Sequence, residues 1–403
     1  MQVKTALRNV FRNRRRTAFS LAVIVVGFIV LVSVLGFVEE ALESTKQSLA
    51  SESGAVQVAT EGLFDNTSRG YDYLISPDIL GLVVDEAESL PGVVGITWQL
   101  TFAGLVGDET GSTLIIGRGI VPCVEVQDYE CLVVQGDPFE TNSDRGALLG
   151  RGLARKLGVG PGDRINVATG TVSGNFNAAT AEVSGEIVYA FEELESQLGL
   201  FPIAFVQRLL KTDGVERILI GLDDLDDATT FAAVLQDRLD IAGIPLVTRT
   251  WQELNATYES LASFYGAFSG LAMMGIAILV FFSVLEVLTI SFLERSREIG
   301  TLRAFGTPRG QIFRTFLLEG AFLGLIGAIL GAVVSVLLVL TFNWIGVSWT
   351  PPGAAIPQAI QLRLTGTVIL MPIVTVLIST LLSALFPSWR TAKVQIVKAL
   401  QSA

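Results

Sequence analysis

The sequence predicts a membrane protein with four transmembrane α-helices and a large α+β extracytoplasmic domain inserted between helices 1 and 2. Half of the 403 residues are hydrophobic and the mean hydropathy is +0.56, values typical of membrane proteins. Four long apolar runs stand apart along the chain. The charge is divided as well: residues 39–263 hold 35 acidic and 13 basic residues, whereas the remainder holds 4 acidic and 15 basic ones.

The N-terminal region predicts an uncleaved membrane anchor. Residues 1–16 carry six basic side chains and no acidic one, which favours an amphipathic helix on the cytoplasmic surface. Residues 17–38 carry no charge until Glu39. This run is long enough to cross a hydrocarbon core of about 30 Å and longer than the apolar core of a signal peptide. We therefore expect transmembrane helix 1 here, with the N-terminus inside the cell.

Residues 39–263 predict one extracytoplasmic domain. Short β-like runs such as 217–222 and 245–247 alternate with helical stretches such as 76–89, a mixture typical of an α+β fold. A smaller lobe is expected to be inserted at about residues 106–200. Helix 1 is expected to continue into this domain as far as residue 53.

The remaining apolar runs complete a topology with both termini in the cytoplasm. The predicted segments are helix 2 at 264–292, a cytoplasmic segment at 293–314, helix 3 at 315–342, an outer loop at 343–363, helix 4 at 364–386 and a cytoplasmic tail at 387–403. All inner segments are then basic and the large outer one is acidic. The positive-inside rule thus favours a multi-pass protein of the inner, plasma membrane.

Composition speaks against an enzyme. The chain has no histidine, no recognisable nucleophile–base set and no P-loop. The glycines of Gly158–Asp163 lack the P-loop lysine and are interpreted as a turn before a strand. We expect no cofactor on this chain and no nucleic-acid partner, because its basic residues adjoin the apolar runs. Cys123 and Cys131 allow either a disulfide or two free thiols.

The cytoplasmic segment 293–314 is short, basic and amphipathic. Ile299, Leu302 and Phe305 are spaced to lie on roughly one helix face. Thr307 and Pro308 predict a cap and a first-turn proline for the next helix. The segment is expected either to contact a partner protein or to bind anionic lipid headgroups through its arginines.

The third apolar run contains a glycine ladder and an acid. Glycine at four-residue spacing lets another helix approach closely, within the chain or in another subunit; the glycines are Gly320, Gly324, Gly327 and Gly331. Glu286 and Glu319 are the acids in or beside the spans. Ion pairing with nearby arginines at the inner interface is favoured over a proton relay.

These residues together resemble the MacB/FtsX-like ABC-transporter permeases. The segment Leu293–Gly306 reads LERSREIGTLRAFG, which closely resembles a motif of that family. Ala6–Thr17, Gly146–Asp163, Thr250–Glu253 and the tail from Phe386 are similar to further family motifs. The layout and the GAVQV sequence that begins at residue 54 most resemble the lipoprotein-releasing LolC/LolE branch. Glu286 departs from the small or amide residue expected there.

The resemblance implies a non-catalytic permease subunit that acts by mechanotransmission. It implies a dimer with a second copy or a sister permease, and two copies of a separate ATPase that bind ATP and Mg²⁺. The coupling helix seated in that ATPase would use Arg295, Arg297, Glu298, Ile299, Leu302, Arg303 and Phe305.

The resemblance leaves three cargo hypotheses. The first is lipoprotein release toward the outer membrane, with a lipoprotein or a periplasmic chaperone as partner. The second is efflux of a small molecule or peptide with a periplasmic adaptor and an outer-membrane duct. The third is FtsX-like regulation of a periplasmic hydrolase, against which the size of the inserted domain argues.

Overall fold

The computed structural model describes residues 14–65, 67, 70–107, 111–122, 133–139, 145–188, 192–349 and 358–392. These residues form two compact units: a membrane unit drawn from residues 1–43, 260–348 and 359–403, and an outer-domain unit drawn from residues 44–259 and 349–358. The segment before residue 14, both cysteines and the tail beyond residue 392 lie outside the described residues, so the predictions made for them stay predictions.

The described helices and strands are numbered here in chain order. The helices are α1 (Arg14–Ser53), α2 (Glu61–Phe64), α3 (Pro77–Glu88), α4 (Arg151–Leu157), α5 (Glu192–Glu195), α6 (Ile203–Leu210), α7 (Ala228–Ile241), α8 (Trp251–Leu254), α9 (Ala256–Glu294), α10 (Ser296–Ala304), α11 (Arg309–Ile345) and α12 (Gly366–Ala392). The strands are β1 (Val56–Ala59), β2 (Val93–Gly107), β3 (Ser112–Ile120), β4 (Val133–Gly136), β5 (Gly146–Gly150), β6 (Arg164–Gly170), β7 (Phe176–Ile187), β8 (Leu198–Pro202), β9 (Arg217–Leu222), β10 (Val247–Thr250), β11 (Ser348–Trp349) and β12 (Gln358–Ala359).

Four helices of the described chain, α1, α9, α11 and α12, are long and apolar enough to cross a membrane. This confirms the predicted fold class. Helix α1 continues without a break to Ser53, as expected from the sequence. Helix α9 begins at Ala256, well before the predicted span, so both helices extend beyond the length that a bilayer core requires.

The first half of the glycine ladder packs α11 against α12. A Cβ on Gly320 would lie 2.5 Å from the Cβ of Ala384, and one on Gly324 would collide with the Oγ1 of Thr380. Small residues on both helices therefore allow the backbones to approach closely, which is how helices associate in lipid. The contact lies within one chain.

The second half of the ladder faces α1. A Cβ on Gly327 would lie 2.5 Å from Cγ2 of Ile24, and one on Gly331 would lie 2.7 Å from Cβ of Phe28. Ile24 and Phe28 are fully buried in the core of the membrane unit. Because these glycines have no side chains, α11 packs closely against both α1 and α12.

We expect Gly324→Ala to destabilise the membrane unit by about 1–3 kcal/mol, because the added methyl group overpacks the contact with Thr380. The matched control is Gly275→Ala in α9, where an added Cβ meets nothing within 4 Å. Alanine there should be neutral or stabilising by up to about 1 kcal/mol. The measurement is the unfolding midpoint in detergent, and equal midpoints for the two variants would contradict the packing role of Gly324.

The outer domain contains a ten-stranded sheet in the order β10-β1-β9-β2-β3-β8-β5-β7-β4, with β6 paired to β2 and β7. Strand β2 connects the two halves of this sheet. Residues Val93–Gln99 pair with β9, whereas Leu100–Gly107 pair with β3. One continuous strand therefore passes from one half of the domain to the other.

Two hydrophobic cores correspond to these halves. One core surrounds Phe102 and Phe201, and the other surrounds Ile220 and Leu235. Trp98 of β2 packs against both cores.

A buried carboxylate marks the junction between the halves. Thr101 N–H donates to Oε2 of Glu216 (2.8 Å), and Glu216 also pairs with Arg217. Burial first, and the nearby Glu216 carboxylate second, raise the pKa of Tyr73 to about 12. The junction is therefore a polar network held within the sheet.

Several details of the outer domain differ from the sequence predictions. The strand expected at 245–247 is β10, which begins at Val247; Pro245 has no N–H for a ladder hydrogen bond. The sequence analysis predicts no strand at β4, β5 or β8, of which β5 and β8 are fully buried. By contrast, the predicted turn at Gly158–Asp163 is present: Gly160 N–H donates to Oδ2 of Asp163 (2.9 Å) immediately before β6.

Candidate functional site

The short helix α10 lies between two membrane helices and is seated by a small apolar cluster. Ile299 is 4% exposed and packs with Phe292 of α9 and with Ile312 and Phe316 of α11. The helix has only nine residues, too few to be stable alone in water. Its position therefore depends on this cluster.

The C-terminus of α10 is closed by a Schellman motif. Thr307 N–H donates to the carbonyl of Leu302 (3.1 Å), and Gly306 N–H donates to the carbonyl of Arg303 (3.0 Å). Gly306 has φ +93°, a conformation that glycine adopts without steric cost. The predicted cap at Thr307 is wrong by one residue, because its N–H already closes α10 and Pro308 takes the N-cap position of α11.

Two apolar side chains at this end of α10 are exposed. Leu302 is 53% exposed and Phe305 is 89% exposed. The stripe that the spacing predicted is therefore divided: Ile299 faces the protein, whereas Leu302 and Phe305 face away from it. Exposed large apolar residues beside cations are typical of a surface that another protein covers.

Arg295 joins α10 to α11. Its Nη1 lies 3.0 Å from Oε1 of Glu319, and its Nε lies 3.5 Å from Oε2 of Glu298. The guanidinium also lies 5.7 Å from the centroid of the Phe316 ring, within the range of a cation–π contact. The Glu319 side chain is only 4% exposed, so this is a largely buried ion pair.

The other predicted charges lie elsewhere. Arg297 and Glu298 are exposed, and Arg303 is half-buried. Glu286 is exposed on α9, and no ion pair or side-chain hydrogen bond involves it within the described part of the chain. The expected arginine pairing is therefore seen for Glu319 and not for Glu286.

Sequence reasoning missed the residues that seat α10. Phe292 and Phe316 lie in predicted membrane spans, where an apolar residue is expected to face lipid, and Ile312 lies at the end of the predicted cytoplasmic segment, outside the stripe of Ile299, Leu302 and Phe305. The signal was available in the spacing, since Ile312 and Phe316 are four residues apart on the face that also carries Glu319.

Comparisons with known proteins agree with this architecture. The model of the MacB-like periplasmic core domain matches residues 17–238, more than half of the chain, and the model of the FtsX-like permease C-terminal region matches residues 270–396. The chain belongs to the MacB/FtsX-like permease family. Members of this family are ABC-transporter permease subunits, which are generally non-catalytic. The chain is thus a multi-pass inner-membrane protein with a periplasmic domain.

Individual relatives cover most of the chain at low identity. The lipoprotein-releasing system transmembrane protein LolC of Xylella fastidiosa is 25% identical over 77% of this chain and 78% of its own length. The macrolide export ATP-binding/permease protein MacB of Chlorobium luteolum is 24% identical over 85% of this chain and 53% of its own length. The crystal structure of the periplasmic region of MacB from Actinobacillus actinomycetemcomitans is 14% identical with a TM-score of 0.37, over 51% of this chain and 94% of that one.

Proposed function

We propose that this permease couples ATP hydrolysis by a separate ATPase subunit to movement of its periplasmic domain, and that Leu302 and Phe305 form the contact with that ATPase. The observation that carries the proposal is the exposure of these two side chains on a short helix with a rigid seat. Removing a Leu and a Phe side chain from water on docking would contribute about 1.5–3 kcal/mol each. Arg297 is exposed on the same helix.

A displacement of α10 by the ATPase would be transmitted to the other helices of the membrane unit through α11. The Arg295–Glu319 ion pair and the cluster around Ile299 fix α10 to α11. Helix α11 in turn packs closely on α1 and α12 through its glycines. Nucleotide binding by the ATPase would favour one of two arrangements of these helices, and the stiff α1 and α9 would transmit that bias to the periplasmic side.

The assembly follows from this proposal. Segment 293–314 and both termini lie in the cytoplasm. Two copies of the ATPase bind ATP and Mg²⁺, and a second copy of this chain or a sister permease completes the complex.

Lipoprotein release is the transport function that the comparisons support best. LolC of Xylella fastidiosa aligns across both the periplasmic core domain and the permease region, with similar coverage of each chain. The cargo is then a lipid-anchored protein that is extracted from the inner membrane and handed to a periplasmic chaperone.

Depletion of the protein tests this cargo. We expect outer-membrane lipoproteins to accumulate in the inner-membrane fraction, and wild-type protein to restore their sorting. A complementing variant with Leu302→Asp and Phe305→Asp should insert in the membrane but fail to restore sorting. Correct sorting after full depletion would overturn lipoprotein release and leave the ATPase contact untouched.

Export of a small amphiphile is the second candidate, and the similarity to MacB over 85% of this chain favours it. Affinity purification of the intact complex from crosslinked membranes distinguishes the two functions. A periplasmic adaptor with an outer-membrane duct supports export, whereas a lipoprotein chaperone supports release.

A further inference from the structure

The periplasmic domain contains a charged cavity that the coupling mechanism does not use. It has a volume of about 430 Å³ and lies between α4 and the paired strands β4 and β7. The residues that line it are Gln135, Arg151, Ala154, Arg155, Gly158, Val159 and Glu186. The volume is within the range of small-molecule sites, about 300–1,000 Å³.

Two guanidinium groups line one side of this cavity. Arg151 and Arg155 are four residues apart on α4, so their side chains lie on the same helix face with Cβ atoms about 5–6 Å apart. The backbone N–H of Gly152, in the first turn of α4, donates to Oε1 of Glu195 (2.9 Å), a residue that does not line the cavity. The two arginines therefore face the cavity as a pair of like charges.

A carboxylate and an amide also line the cavity. Glu186 of β7 is half-buried and pairs in register with Gln135 of β4, so both side chains project from the same face of the sheet. The buried Ala154 also lines the cavity.

Among the residues that the structure describes, the charged groups of the cavity have no partner. Within the described residues, no ion pair or hydrogen bond involves the side chains of Arg151, Arg155 or Glu186. Arg151 and Glu186 are half-buried, whereas Arg155 is exposed, and a half-buried charge gains from a partner. The excess of one positive charge also contrasts with a domain segment that holds 35 acidic and 13 basic residues.

We propose that this cavity binds a zwitterionic phosphoethanolamine-type group. Arg151 and Arg155 donate hydrogen bonds to the phosphate oxygens, for which the guanidinium geometry is well matched. Glu186 accepts hydrogen bonds from the primary ammonium, and the Gln135 amide lies beside it. Such a group occurs on a free metabolite and on the headgroup of phosphatidylethanolamine. The site does not depend on the ATPase contact or on the proposed cargo.

Isothermal titration of the full-length chain in detergent tests the site, with O-phosphoethanolamine and inorganic phosphate as probes. O-phosphoethanolamine should bind at least tenfold more tightly than phosphate, because only it satisfies Glu186. The variant with Arg151→Gln and Arg155→Gln should lose both ligands. Glu186→Gln should reduce O-phosphoethanolamine binding to the level of phosphate.

Arg208→Gln is the matched control, because Arg208 lies on α6 and lines a different cavity; this variant should bind as the wild type does. Absence of O-phosphoethanolamine binding, or binding that Arg151→Gln with Arg155→Gln does not weaken, would overturn the proposal. So would equal affinity for the two probes.

Repeating the titration in nanodiscs of defined lipid composition distinguishes a lipid headgroup from a soluble metabolite as the source of the group. If phosphatidylethanolamine, but not phosphatidylglycerol, suppresses binding of O-phosphoethanolamine, the site holds a lipid headgroup. If neither lipid does, the site takes the soluble form. Either result supports the same recognition chemistry.

Discussion

The variant with Leu302→Asp and Phe305→Asp is expected to lose its association with the ATPase. Both side chains are exposed in the isolated chain, so the fold should tolerate the change. The complex would lose about 3–6 kcal/mol of apolar burial and would also place two carboxylates in a desolvated contact. We expect the dissociation constant to rise at least a hundredfold in a pull-down with purified ATPase, and ATP hydrolysis by the mixture to fall to that of the ATPase alone.

Gln311→Asp controls for added negative charge. Gln311 is exposed in the first turn of α11, where an acidic side chain is favourable toward the helix dipole. This variant should bind the ATPase nearly as well as the wild type. If the double variant binds as tightly as Gln311→Asp, Leu302 and Phe305 are not the contact.

Glu319→Gln is expected to destabilise the membrane unit by about 2–3 kcal/mol. The change keeps the size of the side chain but leaves the Arg295 guanidinium, 17% exposed, without its closest carboxylate. Removing one partner of a buried ion pair typically costs about 3–5 kcal/mol, and the remaining contact with Glu298 reduces this cost. The unfolding midpoint in detergent measures the loss.

Two further variants separate the ion pair from general effects of charge. Glu286→Gln, at an exposed position, should change stability by less than about 0.5 kcal/mol. Replacing both partners, with Arg295→Met and Glu319→Leu, should restore most of the stability, because no unpaired charge remains. Equal stability of Glu319→Gln and Glu286→Gln would show that the ion pair does not hold α10.

Periodicity and spacing predicted the membrane unit well. A membrane-spanning helix requires a long apolar run. The sequence contains four such runs, and each of them forms a helix. The glycine ladder predicted close helix contacts because glycine is otherwise unfavourable in a helix. What the sequence left open was the partner of each glycine: Gly324 meets Thr380 and Gly331 meets Phe28, pairings that depend on tertiary packing.

The sequence predicted where the candidate site lies in the chain, but not which of its side chains are buried or paired. Spacing put Ile299, Leu302 and Phe305 on one face, yet a helix between two spans can bury part of a stripe against its neighbours. Glu319 and Arg295 are 24 residues apart, and only the turn after α10 brings them together. The periplasmic cavity was missed for a similar reason, since Glu186 is distant in sequence from Arg151 and Arg155.

Labelling of a single cysteine at position 305 gives the most direct test of the proposed coupling. The variant carries Phe305→Cys with both native cysteines replaced by serine, and the reagent is a membrane-impermeant maleimide. We predict modification in inside-out vesicles, none in intact cells, and protection of the vesicles' cysteine by added ATPase. Modification from outside the cell, or modification in vesicles that the ATPase leaves unchanged, would contradict a cytoplasmic contact between Phe305 and the ATPase.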